Sequence, residues 1–167
     1  MIIYHPYKDA NHCAYRLISI MYGTNNAVSR DFLNIADFYY LFPSKLKEIN
    51  NWPRKNSNDY RAVKAIENCH ENLDNAKMIF YEIKEIRHNT FLNLISRGIV
   101  IERNKHNQLY TMEQSLLPDS LIELLKKDEF RESEAYRIIT QKMSKIPLNG
   151  DTGLKAKTSL LEHRYDN

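Results

Sequence analysis

The sequence predicts a mainly α-helical protein with one small β-hairpin, and three observations support that fold class. The 167 residues include only four glycines and five prolines, which disfavours a barrel or sandwich built from many tight turns. Apolar residues recur at intervals of three and four along most of the chain, as they do on one face of a helix. One β-branched run, followed by a polar turn and a second extended run, indicates the hairpin.

We expect three segments that pack as one compact unit, since the length suits a single domain. They are a helical N-terminal region over residues 1–58, a winged helix-turn-helix with a short β-hairpin wing over residues 59–113, and C-terminal helices with a tail over residues 114–167. The composition is 43% hydrophobic and 27% charged, which is ordinary for a soluble globular protein and disfavours disorder.

The first helix is expected to begin with Asp9 or Asn11 as its N-cap, because both side chains accept hydrogen bonds from unpaired backbone N–H groups. Gly23 is expected to end it. Its apolar face holds Cys13, Leu17, Ile20 and Met21.

The second helix is expected to begin at Ser29 or Asp31 and to run to Phe42, where Pro43 ends it. It is apolar on nearly every side. Such a helix is usually central to a core or buried at an interface.

The middle third of the chain predicts two helices, a glycine and a hairpin. Helical spacing runs from Ile79 to Ile95, and the polar stretch 87–90 is expected to hold a turn between two helices. Gly98 ends the second of them. Residues 99–101 and 108–112 then predict two strands around a polar turn. This order is that of a winged helix, in which the helix before the hairpin is the recognition helix.

The last third predicts two more helices, one around residues 121–125 and one around residues 136–143. A loop follows from Pro147 to Gly153. We expect the polar tail from Leu154 onwards to be ordered only against a partner.

No motif for catalysis or for a cofactor is present in the sequence. The chain lacks GxxxxGK[ST], GxGxxG, HExxH and GxSxG. Its histidines and cysteines pair as neighbours, at residues 12–13 and 69–70, and neighbouring helical side chains point about 100° apart, which disfavours chelation of one metal ion. Cys13 and Cys69 are expected to be buried thiols. We therefore expect a protein that is not an enzyme and holds no cofactor or metal.

Charge gives a weak indication of partners. The net charge is +3, and residues 1–58 account for all of it because the other two thirds are each balanced. Tight autonomous binding to nucleic acid is not predicted from charge alone. No apolar run is long enough to cross a bilayer, and the first residues lack the features of a signal peptide, so we expect a cytoplasmic protein.

Nucleic-acid contact is nevertheless the natural question for a winged helix. The candidate contact residues on the recognition helix and the wing are Arg87, Asn89, Asn93, Arg97, Arg103 and Lys105. Arginine and asparagine suit phosphates and base edges. Glu82, Glu85 and Glu102 lie close by in sequence and would oppose phosphates, so a winged helix used as a protein-docking scaffold is the other interpretation.

Two blocks of sequence resemble the middle components of bacterial ABC three-component systems. The first runs from Tyr4 to Arg16 and reads YHPYKDANHCAYR; the second runs from Ile35 to Pro43 and reads IADFYYLFP. That family often begins with a run of the form YHPxxDxxHCxxR and carries a DFYxLFP block, and residues 83–112 are similar to its winged-helix portion. The resemblance covers most of residues 1–113, and residues 114–167 carry no motif of the family.

The resemblance implies a role within a complex. A middle component is similar to the small subunit of Lamassu-type defence systems, which act against phage and, in related systems, plasmids. The implied partners are an SMC- or Rad50-like ABC ATPase and an effector, frequently a nuclease; DNA is reached through the complex, and no membrane is involved. The chain would then be an adaptor between the ATPase heads and the effector. The alternative hypothesis is a winged-helix transcription regulator that binds an operator as a dimer.

The family blocks single out a set of motif residues, for which a structural role and a direct partner contact both stay open. We expect His5, Asp9, His12 and Arg16 to form a hydrogen-bonded cluster that pins the N-terminal segment to the first helix, since His12 and Arg16 share a helix face. The complete set is Tyr4, His5, Pro6, Asp9, His12, Cys13, Arg16, Asp37, Phe38, Phe42 and Pro43.

Overall fold

The computed structural model describes residues 6–68 and 75–162 of the chain, and they are mainly helical with one small antiparallel sheet. The α-helices are α1 (Ala10–Thr24), α2 (Arg30–Leu41), α3 (Asn58–Ala65), α4 (Ala76–Glu82), α5 (Lys84–Ser96), α6 (Asp119–Lys127), α7 (Glu134–Arg137) and α8 (Leu154–Thr158). The strands are β1 (Val28–Ser29), β2 (Val100–Asn104) and β3 (Leu109–Met112). Short 3₁₀ turns cover Pro6–Lys8, Pro43–Glu48, Gln114–Leu116, Glu129–Glu132 and Met143–Lys145, and a π-helical turn covers Ile138–Lys142.

Helix α1 begins where the sequence predicts and ends later. The Asp9 carboxylate accepts hydrogen bonds from the backbone N–H groups of Asn11 at 2.8 Å and His12 at 3.0 Å, which caps the helix. The helix ends at Asn25, a left-handed residue with φ of 52°. The prediction that Gly23 ends the helix is therefore wrong. Gly23 instead makes room for the Tyr136 ring, since a Cβ at Gly23 would lie 2.7 Å from the ring carbon Cζ.

Helix α2 lies at the centre of the core, as its apolar pattern predicts. Ser29 caps it by accepting a hydrogen bond from the backbone N–H of Phe32 at 3.1 Å. Its buried apolar residues point to several sides and are Phe32, Leu33, Ile35, Ala36, Phe38 and Tyr39. Pro43 follows as the first residue of a 3₁₀ turn, a position where its missing N–H costs nothing.

The predicted hairpin is confirmed, and a third strand joins it. Strand β2 pairs with β3 in antiparallel register, with Val100 opposite Met112 and Ile101 opposite Thr111. Strand β1 pairs with the other edge of β3, which gives the order β1-β3-β2. With two residues, β1 is too short to produce an alternating pattern that sequence reasoning could detect.

The break between α4 and α5 falls earlier than predicted. The sequence predicts a turn at residues 87–90, whereas the helix axis breaks at Ile83 and residues 87–90 lie inside α5. The polar residues misled the prediction because Arg87 and Thr90 point inward and are buried. Gly98, with φ of 72°, closes α5, and the N–H of Ile99 bonds back to the carbonyl of Leu94 at 3.0 Å.

The described part of the C-terminal tail, residues 154–162, packs onto the core, which corrects the expectation that this part is ordered only against a partner. Leu154 and Leu160 are buried in the core. The backbone carbonyl of Lys157 accepts a hydrogen bond from the N–H of Asn50 at 3.0 Å, which fixes α8 against the loop before α3. Within the described ranges, no helix has both the length and the apolar character needed to span a membrane.

Candidate functional site

The second family block supplies a buried carboxylate, Asp37, that pairs with an arginine from the first block. Arg16 on α1 donates from Nε to Asp37 Oδ1 at 2.6 Å and from Nη2 to Oδ2 at 3.4 Å. Asp37 is completely buried and Arg16 is 4% exposed. Because both groups lie in the core, this ion pair joins α1 to α2 where water cannot screen it.

A second arginine, Arg87 of α5, approaches the same carboxylate. Its Nη1 lies 4.0 Å from Asp37 Oδ2. The guanidinium also donates to the backbone carbonyl of Asn34 at 3.1 Å and to that of Phe80 at 2.8 Å, and it lies over the Phe80 ring at 4.2 Å. Burial lowers the pKa of Arg87, and the charge of Asp37 opposes that shift. One carboxylate therefore holds α1, α2, α4 and α5 together through two cations.

This burial corrects one predicted contact residue. The sequence places Arg87 on the exposed face of the recognition helix, but its side chain is 2% exposed and its hydrogen bonds point inward. Its Nε is buried with no hydrogen-bond partner among the described residues. Arg87 thus stabilises the packing of α2, α4 and α5 in the core and cannot contact nucleic acid.

The other residues of the first block are divided between the surface and the core. Asp9 caps α1 and His12 is exposed, whereas Arg16 turns inward to Asp37. Arg16 therefore belongs to the buried network and not to a surface cluster with His12. Tyr4 and His5 lie outside the described residues, and Pro6 begins the turn before α1.

Cys13 is a buried thiol, as its place on the apolar face predicts. It is completely buried, and burial raises the pKa of the thiol to about 11. A thiol with that pKa is protonated near neutral pH and is a poor nucleophile. Cys69 lies outside the described residues. Among those that are described, no three histidine, cysteine or carboxylate side chains are grouped so that they could hold a metal ion.

The remaining predicted contact residues lie on the outer side of α5 and on the hairpin. Asn89, Asn93 and Arg97 are exposed and line a cleft of about 750 Å³ between α5 and the start of α1. Arg97 donates from Nε to the Asn93 side-chain oxygen at 2.9 Å. Glu82 and Glu85 line the same cleft, so it carries both charge signs.

The two predicted wing residues are exposed on the hairpin. Arg103 donates from Nε to the Thr111 hydroxyl at 2.7 Å, and Lys105 lies in the turn between β2 and β3. Glu102 is exposed beside them, so the hairpin carries a net charge of only +1.

A second, more apolar groove was not predicted from the sequence. It has a volume of about 650 Å³ and lies between α3, the turn that begins at Pro43, and the segment leading into α7. Its apolar lining comes from Leu41, Pro43, Ala62, Ala65, Ile66, Phe130 and Ala135. Phe38 and Phe42 of the second family block are buried in the core, while Pro43, its last residue, reaches the groove. Sequence reasoning missed the groove because its walls come from three separate stretches of chain.

Comparison with protein families gives a match over nearly the whole chain. The family model described as ABC-three component (ABC-3C) system Middle Component 5 matches residues 2–166. Neither the curated proteins nor the solved structures give a match.

Removal of the Asp37 charge should destabilise the fold severely. An Asp37→Asn change leaves two buried guanidinium groups without a counter-charge, and breaking a buried pair in this way costs about 3–5 kcal/mol. Urea unfolding of the purified variants measures the loss. The double change Asp37→Leu with Arg16→Met removes the Arg16–Asp37 pair and leaves only Arg87 charged. Its loss should be smaller than the sum of the losses in the single variants Asp37→Leu and Arg16→Met. Losses that simply add would contradict the coupling.

Cys13 should resist modification in the folded protein. In a Cys69→Ser variant, a coloured disulfide reagent reports on Cys13 alone, and a pKa of about 11 leaves a thiolate fraction of about 10⁻⁴ at pH 7. Since the unfolded thiol ionises at its ordinary pKa of 9.0, stability should fall as the pH rises above that value. Labelling of the native protein as fast as that of the urea-unfolded chain would show that Cys13 is accessible.

Proposed function

We propose, from the premise that this chain belongs to the Middle Component 5 family of ABC three-component systems, that it is the adaptor subunit of a defence complex. It joins the heads of an SMC- or Rad50-like ABC ATPase to an effector, a nuclease, in cytoplasmic immunity of the Lamassu type against phage or plasmids. It performs no catalysis and needs no cofactor of its own. The match of a middle-component model to residues 2–166 is the observation that carries this proposal.

A winged-helix core is part of the proposal. Helix α5 directly precedes the hairpin of β2 and β3, and β1 extends the sheet on the far side of β3. A helix followed by a hairpin is the order of that fold. The Arg87 side chain is buried in the core, and Glu82 and Glu85 line the cleft beside α5. These features favour a winged helix that serves as a protein scaffold.

Exposed apolar surface supports an adaptor role. Large apolar side chains normally leave water when a domain folds, and exposed ones mark contact surfaces when they cluster. The most exposed of those described are Met78, Tyr81, Leu92, Leu116 and Leu124. They lie on α4, α5, the turn Gln114–Leu116 and α6, so they add separate apolar points to the continuous apolar groove beside α3. The groove is the surface that best suits the docking of a protein, as an adaptor requires.

A winged-helix transcription regulator is the second candidate function. Asn89, Asn93 and Arg97 are exposed on the helix that precedes the hairpin, and Arg103 and Lys105 are exposed on the hairpin itself. These are the side chains that such a regulator would use on an operator. It would bind a specific duplex as an isolated protein, and it would lose that binding when these basic side chains are neutralised.

Co-purification tests the adaptor role. When the tagged chain is expressed with the ATPase and effector components of its own system, both should be recovered with it. An Ala65→Arg change places a charge in the apolar groove and should reduce the recovered partner about tenfold or more.

The matched control is Ser120→Arg, which adds the same side chain to an exposed position of α6. It should leave recovery unchanged, and thermal melting should show that both variants are folded. A wild-type chain that purifies alone would refute the adaptor role. Full recovery with Ala65→Arg would refute docking through the groove but would not refute the adaptor role.

A further inference from the structure

Positive charge in this chain is concentrated in two separate stretches. Residues 43–66 carry six basic and two acidic side chains, and residues 137–158 carry five and one. The rest of the chain carries 13 basic and 18 acidic side chains. The two stretches therefore hold a net charge of +8, and the rest of the chain holds −5. This unequal distribution of charge does not show when the net charge is counted for each third of the chain.

The fold brings these two stretches together. Asp59, at the start of α3, pairs with Arg137 at 2.8 Å and with Lys142 at 3.3 Å. The backbone hydrogen bond between Asn50 and Lys157 joins the loop before α3 to α8. Residues 43–66 and 137–158 are thus neighbours in space, and we name the surface they form the basic face.

Three carboxylates within or beside the basic face are neutralised by ion pairs, whereas Asp151 is exposed and forms none with the described residues. Glu48 pairs with Lys45 at 2.8 Å and Glu134 pairs with Arg137 at 2.7 Å, while Asp59 holds the two cations given above. In the part of the chain that the structure describes, seven basic side chains of the face form no ion pair. Lys47 donates instead to the Asn68 side-chain oxygen at 2.8 Å, and Lys64 lies over the Tyr60 ring. The other five are Arg54, Lys55, Arg61, Lys145 and Lys157. The surplus charge is therefore available to an external anion.

The loop that leads into α3 has the chemistry of a phosphate-binding surface. Residues 49–58 contain four asparagines and no carboxylate, and Arg54 and Lys55 are exposed at the middle of the loop. Amide, lysine and arginine donors make most contacts to nucleic-acid backbones. An acidic protein partner would require apolar or aromatic anchors as well, and the only aromatic side chain of this loop, Trp52, is half-buried.

We propose that the basic face binds the phosphate backbone of duplex nucleic acid without reading its sequence. The sequence alone predicts a nucleic-acid contact on α5 and the hairpin, and the proposed contact lies apart from both. This inference does not depend on the adaptor role, because the isolated full-length chain carries the whole face.

Fluorescence anisotropy with a labelled duplex of mixed sequence tests the proposal. If five phosphates are neutralised, affinity should fall about 500-fold between about 50 and 200 mM salt. The variant Arg54→Gln/Lys55→Gln/Arg61→Gln should lower the slope of log affinity against log salt by about 2.7. The variant Lys145→Gln/Lys157→Gln should lower it by about 1.8, because these side chains come from the second stretch.

The matched control is Arg97→Gln/Arg103→Gln/Lys105→Gln, which removes the same charge from α5 and the hairpin and should leave the slope unchanged. All the altered side chains are at least partly exposed, so melting temperatures should stay close to that of the wild type. Three results would overturn the proposal: no binding by the wild type at about 50 mM salt, an equal or larger loss in the control, or an unchanged slope in either basic-face variant.

Discussion

The fold depends on one buried carboxylate balanced against two buried arginines. Asp37 accepts two hydrogen bonds from Arg16 and lies 4.0 Å from Arg87, and all three side chains are shielded from water. Through these partners, helices that are distant in sequence meet at one point in the core. Removing these charges from water costs free energy, so the arrangement specifies which helices meet more than it adds to stability. That geometry fixes α5, and with it the cleft beside α5, relative to α1 and α2.

The burial of Arg87 affects where positive charge lies on the surface of the molecule. Arg87 is buried in the core, and the cleft beside α5 is lined by amides, two cations and two carboxylates. The excess of positive charge lies instead where α3 and its preceding loop meet the C-terminal segment. The apolar groove opens beside α3 as well. The proposed protein-docking groove and the proposed nucleic-acid surface therefore share one helix, which allows a single small subunit to serve two kinds of partner.

The sequence predicts the elements better than it predicts the site. The Asp9 cap, the core position of α2 and the hairpin follow from local patterns, because capping and periodicity are local properties. The sequence places Arg87 on the surface because a buried arginine cannot be distinguished from an exposed one until its partners are known. The groove joins residues 41–44 and 62–68 to residues 130–135, and the basic face joins residues 43–66 to residues 137–158. A local sequence pattern cannot predict that stretches so far apart in the chain lie side by side in the fold. The exposed positions of Asn89, Asn93, Arg97, Arg103 and Lys105 agree with the prediction, while their contact with nucleic acid stays a prediction.

The adaptor role is tested most directly by omission of this chain from the reconstituted system. Mass photometry of the purified ATPase and effector components, mixed with and without it, reports which assemblies form. The account predicts one assembly that contains all three components when the chain is present, and separate ATPase and effector particles when it is left out. An ATPase–effector assembly that forms equally well without the chain would contradict the account.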